Sequence, residues 1–217
     1  VSPRAVVVGP PGSGKSTVGR LLAERLGVGF RDTDDDVVAR AGRSISDIFT
    51  TDGEPVFRRL EEEAVAAALA EHDGVLALGG GAVLSSATRV RLRGHAVVFL
   101  NVGMAEGIRR TGLSTARPLL AGVNPRATYK ALLDARLPLY REVATMEVDT
   151  DQAGPDEVAA TVARRLPAES GTDEVTPDRS TVNDASVNDT SVNDTSVNDS
   201  APNDPITKEP FPEGGAR

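Results

Sequence analysis

The stretch Gly9-Pro10-Pro11-Gly12-Ser13-Gly14-Lys15-Ser16 constrains this chain more than any other part of it. It matches G-x-x-x-x-G-K-[ST] in full. It lies between the apolar run Ala5-Val6-Val7-Val8 and a helical stripe of Val18, Leu21, Leu22 and Leu26. A strand, a glycine-rich turn and a helix in that order form a cradle for phosphate. The glycines let backbone N–H groups turn inward, and the helix N-terminus adds a favourable dipole. The pattern assigns Gly12, Ser13, Gly14, Lys15, Ser16 and Thr17 to a bound nucleoside triphosphate. Lys15 reaches the β- and γ-phosphates, and the Ser16 hydroxyl binds magnesium. Lys15 is one of only three lysines in the chain, so it is not drawn from a lysine-rich surface.

Short apolar runs ending in Gly or Asn recur at Val75–Leu78 and Ala96–Leu100, as expected of strands buried on both faces of a parallel sheet. Weaker strands are expected at Val28–Arg31 and Thr145–Val148. Phe57, Leu60, Ala64 and Ala68 share one helical stripe. Pro155, Asp156 and Glu157 open a last helix whose Val158, Val162 and Leu166 recur every four residues. The sum is about five strands with helices between them, an α/β three-layer sandwich.

After Leu166 the pattern dissolves. Residues 181–205 read TVNDA, SVNDT, SVNDT, SVNDS, APNDP. One isolated Val or Pro per repeat cannot offset ~1 to 2 kcal/mol of ordering entropy per residue, so 167–217 is expected to be a disordered acidic tail behind a domain of residues 1–166. Charge divides the same way. Residues 167–217 hold eleven acidic and three basic residues, the whole of the net −8, and leave 21 of each sign in residues 1–166. Scattered arginines among acids imply no basic face for nucleic acid. There is no Cys, hence no disulfide and no thiolate metal site. No apolar stretch reaches the ~18 to 20 residues of a membrane span, and none precedes the glycine loop as a signal peptide would. A soluble cytoplasmic protein is expected.

Many P-loop proteins hold magnesium with an Asp at the end of the third strand, but Val75–Leu78 runs into Gly79-Gly80-Gly81 instead. The candidate carboxylates are then Asp32-Thr33-Asp34 after the first helix. Asp32 is assigned to the metal and Asp34 to the acceptor hydroxyl, while Asp35 and Asp36 suit the first turn of a helix.

With these residues in place the chain resembles the shikimate kinase family over residues 4 to about 166. The match rests on the P-loop, Asp32-Thr33-Asp34, Phe57-Arg58-Arg59-Leu60-Glu61, Gly79-Gly80-Gly81, Arg117-Pro118-Leu119, and Arg136 before Pro138-Leu139-Tyr140. The resemblance implies transfer of the γ-phosphate of ATP to the 3-hydroxyl of shikimate, in the pathway to chorismate. It implies the nucleoside monophosphate kinase fold, a five-stranded parallel sheet with a mobile lid. By position, Asp34 contacts the acceptor hydroxyls, Arg58, Arg136 and Gly80 hold the shikimate carboxylate, and Arg117 in the stretch 112–124 is the lid arginine. Arg110 and Pro155 flank adenine, close to Ala153, where the family often has Arg. Lys15, Asp34 and Arg117 form the catalytic set, with Gly79 and Gly81 beside the substrate and Ser16 and Asp32 on Mg2+.

The residues taken by themselves agree with that assignment. A small polyol with one carboxylate needs a planar bidentate cation and acceptors for its hydroxyls. Arg58 has Glu61 at i+3 as an orienting partner. Arg136 without its motif reads as a solvated helix residue. Three glycines after a buried strand favour close backbone approach to substrate. His72 and His95 are isolated and read as structural. The competing readings are another small-molecule kinase of this fold, such as gluconate kinase, and a non-catalytic P-loop regulator. A monomer binding only small molecules is expected.

Overall fold

The computed structural model describes residues 2–111 and 124–167. The chain divides into two units, Val1–Ser170 and Gly171–Arg217; the second, with its repeats, lies outside the described residues.

Five strands form one parallel sheet: β1 (Ala5–Val8), β2 (Phe30–Asp32), β3 (Val75–Ala77), β4 (Val97–Asn101) and β5 (Met146–Asp149), in the order β2-β3-β1-β4-β5. The central strand is apolar throughout because both of its faces are covered. Ala5 and Val7 point into one layer with Val18 and Leu22 of helix α1 (Lys15–Leu26) and Val158 and Val162 of α8 (Pro155–Arg165). Val6 and Val8 point into the other, with Val65 and Ala68 of α4 (Glu54–Glu71) and Tyr140 of α7 (Pro125–Val143). The period of two along each strand thus feeds two separate cores.

Helices α2 (Thr33–Ala41) and α3 (Ile45–Thr51) lie beside α4 and share a third apolar cluster with it, built on Val37, Ile48, Phe57 and Ala64. Helices α5 (Ser86–Arg91) and α6 (Met104–Thr111) complete the set, with a short 3₁₀ turn at Ala82–Leu84. Among the described residues no helix is long and apolar enough to cross a membrane.

Three strands begin later than their apolar runs suggest, β4 among them at Val97 rather than Ala96. Val28 is not in β2. Its N–H closes the end of α1 by bonding Ala23 O at 3.0 Å, behind Gly27 in the left-handed conformation (φ 67°). Val28 is spent on a helix stop, Gly29 O then accepts from the Val75 N–H at 2.8 Å, and β2 itself starts at Phe30. Thr145 likewise bonds Val97 O at 2.9 Å just ahead of β5. His72 caps the end of α4 and bonds Val75 O, and His95 meets Ser2, so both serve the frame.

Candidate active site

The phosphate loop is a connection from β1 to α1 in which Gly12 and Gly14 hold φ of 81° and 88°, a region other residues avoid. A Cβ on Gly12 would also lie 2.7 Å from the carbonyl oxygen of Gly107. Lys15 folds back so that its Nζ donates to Pro10 O at 3.1 Å. The Ser13 hydroxyl is buried against Gly9 and has no hydrogen-bond partner.

The first turn of α1 and the start of α2 meet through one bond. Ser16 Oγ donates to Asp32 Oδ2 at 2.7 Å, while Asp32 Oδ1 accepts from the Asp34 N–H at 3.1 Å. Asp32 is therefore both the N-cap of α2 and the carboxylate beside the Ser16 hydroxyl. Asp34, Asp35 and Asp36 fill the first turn of α2, and Asp36 pairs with Arg31 at 2.8 Å, as capping acids do.

None of the three glycines after β3 has a left-handed φ, and two of them, Gly79 and Gly81, are needed for space. A Cβ on Gly79 would lie 2.5 Å from both Asp34 Oδ1 and Glu61 Oε1. A Cβ on Gly81 would fall on the Arg58 guanidinium, and one on Gly80 would face Pro11 of the phosphate loop at 3.5 Å. The crowding expected from a substrate is thus largely crowding by site side chains. The Gly79 N–H donates to Thr33 Oγ1 at 3.1 Å, which pins this turn to α2.

Around that turn two guanidiniums converge. Arg58 Nη1 meets Glu61 Oε2 at 2.6 Å, and its Nε and Nη2 bond Glu54 at 3.0 and 2.8 Å. Arg136, expected at the surface if judged without its motif, is 7% exposed and donates to Gly80 O at 3.0 Å. Burial raises the Glu61 carboxyl above its ordinary range, while the Arg58 and Arg136 guanidiniums pull it down. For Arg58 burial works against the cation, yet Glu61 and Glu54 raise it overall. The 2.6 Å contact with Arg58 and the nearby Arg136 favour the ionised carboxylate against that burial. Arg59, next in sequence, is exposed.

A cavity of about 430 Å³ lies at the other end of the phosphate loop, lined among others by Ser13, Gly14, Thr17, Arg110 and Pro155, with Ala153 in its wall. The Arg110 guanidinium is held flat by Glu106 Oε1 at 2.6 Å, Thr150 O at 2.5 Å and Thr150 Oγ1 at 3.1 Å. Arg109 and Arg110 hold the half-buried Glu106 carboxyl down to about 2. A larger cavity of about 800 Å³, between α4 and α5, shares Arg58 and Glu61 with the site but is not lined by Asp34, Gly79 or Arg136. Convergent charge, not cavity size, therefore locates the acceptor site. Arg117 and the stretch 112–123 lie outside the described residues.

Sequence reasoning gave no role to either of the chain's two tyrosines, although Tyr140 stood in the motif that follows Arg136. Tyr140 donates to Gly80 O at 2.5 Å and stacks on Phe99, and Tyr129 donates to Pro11 O at 2.8 Å. Burial, above all, raises the Tyr140 hydroxyl, so it stays a donor. Their signal was spacing. Tyr129, Arg136 and Tyr140 fall at i, i+7 and i+11, one stripe of a helix.

The family model for shikimate kinase matches residues 11–167. The chain is 73% identical over 169 residues to a shikimate kinase of Saccharopolyspora erythraea, covering 78% of this chain and 97% of that one. It is 56% identical over 176 residues to a shikimate kinase of Mycobacterium tuberculosis, covering 81% of this chain and all of that one. The solved shikimate kinase of Acinetobacter baumannii, in complex with shikimate, superposes with a TM-score of 0.73 at 36% identity, over 76% of this chain and 92% of that one.

Proposed function

The chain belongs to the shikimate kinase family and so phosphorylates shikimate with ATP in aromatic amino acid biosynthesis; from that premise we propose how its residues divide the work. The observation that carries the assignment is the turn Gly79–Gly81. Asp34, Glu61 and Arg58 crowd it from one side, Pro11 of the phosphate loop faces it at Gly80, and Arg136 and Tyr140 hold its carbonyl. The acceptor grip and the phosphate cradle are thereby neighbours.

Shikimate enters with its carboxylate between Arg58 and Arg136, whose planar forks suit two parallel hydrogen bonds. Its 3-hydroxyl then faces Asp34. The hydroxyl oxygen attacks the γ-phosphorus, the bond from that phosphorus to the bridging oxygen breaks, and ADP leaves. Asp34 accepts the hydroxyl proton late in the transfer. Lys15, the N–H groups of the phosphate loop and, by the family resemblance, Arg117 stabilise charge on the phosphates. Gly12, Ser13, Gly14, Lys15, Ser16 and Thr17 cradle the triphosphate. Arg110 and Pro155 flank the base.

Ser16 and Asp32 fit magnesium. A hydroxyl and a carboxylate oxygen 2.7 Å apart are the hard donors it takes, and it commonly uses only one or two protein ligands besides phosphate. Among the described residues no larger cluster of ligating side chains competes with them. When bound there it neutralises charge on the β- and γ-phosphates. The reading extends to a cytoplasmic monomer of one catalytic domain, residues 1–166, with 167–217 a disordered tail. The four exposed large apolar side chains among the described residues, Val38, Leu84, Val90 and Met104, sit on four different elements, which supports the monomer.

ADP release assayed with shikimate, gluconate and nucleoside monophosphates side by side tests the acceptor. Shikimate is expected to exceed every rival in kcat/KM by about tenfold or more, because a site built to hydrogen-bond one ligand's carboxylate and hydroxyls at fixed positions leaves polar groups unpaired with a ligand of another shape. Comparable turnover of gluconate or a nucleotide would overturn the assignment. A second test reads Glu61. Its carboxyl titrates above the ordinary 4.5, so its charge is lost as pH falls through that raised value, before exposed carboxylates protonate. Arg58 then keeps only Glu54 of the two carboxylates that aim it. The KM for shikimate is expected to rise on the acid side in the wild type and to stay flat there in Glu61→Gln. Parallel pH profiles would assign the rise to another group.

A further inference from the structure

Helix α7 touches both halves of the site with one stripe. Arg136 and Tyr140 donate to Gly80 O, beside the acceptor. About two turns before Arg136 and three before Tyr140, Tyr129 is 1% exposed and donates to Pro11 O, inside the phosphate loop. The slot that admits Tyr129 exists because residue 107 is glycine. A Cβ there would fall on the Tyr129 hydroxyl. Gly107 in turn lies against Gly12 of the loop, so α6, α7 and the loop interlock around one phenol.

A loop that binds phosphate through backbone N–H groups works only if those groups already converge. Here the backbone bond Ser13 N–H to Pro10 O is long, at 3.2 Å, and the Ser13 hydroxyl makes none. Pro10 and Pro11 have no N–H to contribute. A rigid donor from outside therefore matters, and a buried tyrosine on a 19-residue helix is one.

We propose that Tyr129 is a positioning residue for nucleotide binding: by holding Pro11 O at 2.8 Å it keeps the loop's N–H groups converged on the phosphates, and it ties that geometry to the helix that grips the acceptor. The proposal rests on the kinase reading above. It does not act on the transferred group, so it belongs with binding rather than with the chemical step.

Calorimetric titration of ADP and of shikimate, each alone, into wild type, Tyr129→Phe and Tyr140→Phe tests it. One neutral hydrogen bond sets the scale, so Tyr129→Phe is expected to raise the Kd for ADP by ~3 to 10-fold and leave that for shikimate within about twofold. The KM for ATP should follow, with kcat changed less. Tyr140→Phe deletes the same atom from the same helix but at Gly80, and is expected to weaken shikimate while ADP binding stays in place. A merely structural loosening of α7 would move both ligands in both variants, and that result overturns the proposal. So does an ADP Kd in Tyr129→Phe equal to wild type. Failure of the wild type itself to bind ADP would instead remove the kinase reading.

Discussion

Replacing Asp34 by Asn is expected to lower kcat by ~10² to 10⁴-fold, the contribution typical of a positioned general base, while the KM for ATP hardly moves. The substitution is clean for structural reasons. Asparagine keeps the shape of aspartate beside Gly79, whose lack of a Cβ leaves room for Asp34 Oδ1. The start of α2 is capped by Asp32 through the residue-34 backbone N–H, which the change leaves alone. Ser16 and Asp32 keep their own bond, so the nucleotide side is untouched. What is lost is the negative charge that accepts the hydroxyl proton as the bond to phosphorus forms. Steady-state kinetics with each substrate varied in turn, together with a melting curve, decide the matter. Retention of most of the activity by a folded variant would reduce Asp34 to a member of the helix cap.

Much of this site was legible because its signals are local. Lys15, Ser16, Asp32 and Asp34 lie within twenty residues of one another, and each strand–turn–helix junction announces itself by glycines and acids at fixed offsets. The strand runs were legible for a related reason. Parallel strands covered on both faces are short apolar blocks, and four of the five begin within one residue of where those blocks begin. The exception is β2, where the left-handed Gly27 spends Val28 on ending α1. The helices α2, α3, α5 and α6 run only six to nine residues, too few for a helical stripe to repeat along them.

What could not be read was contact across the chain. Tyr129 acts on a carbonyl 118 positions away and Tyr140 on one 60 positions away. Nothing near either residue marks the partner. The glycines show the same limit from the other side. Gly79, Gly80 and Gly81 looked like room for a ligand, and their spacing after β3 was right. Only the packed structure shows that Asp34, Glu61 and Arg58 fill the space that two of them leave. A glycine without a left-handed φ reports crowding, and sequence alone cannot say by what.

Arg136→Lys separates the carboxylate grip from phosphate chemistry, and its expected effect is the second largest. The charge is kept but the planar fork is lost, and an ammonium cannot present two parallel donors to a carboxylate. A hydrogen bond to a charged group is worth ~1.5 to 3 kcal/mol, so the KM for shikimate is expected to rise by roughly 10 to 150-fold. The variant reads the substrate contact rather than a collapsed loop, because Gly80 O retains its second donor, the Tyr140 hydroxyl at 2.5 Å. Glu61 also retains Arg58 at 2.6 Å, so no buried carboxylate is stranded. The carboxylate of shikimate sits away from the reacting oxygen, and kcat is therefore expected to fall much less than kcat/KM. The KM for ATP should stay near its wild-type value, since Arg136 makes no contact with the phosphate loop comparable to that of Tyr129. If the shikimate KM of the lysine variant stays within about twofold of wild type, less than one charged hydrogen bond would give, the carboxylate is held elsewhere and the acceptor site drawn around Gly80 is wrong.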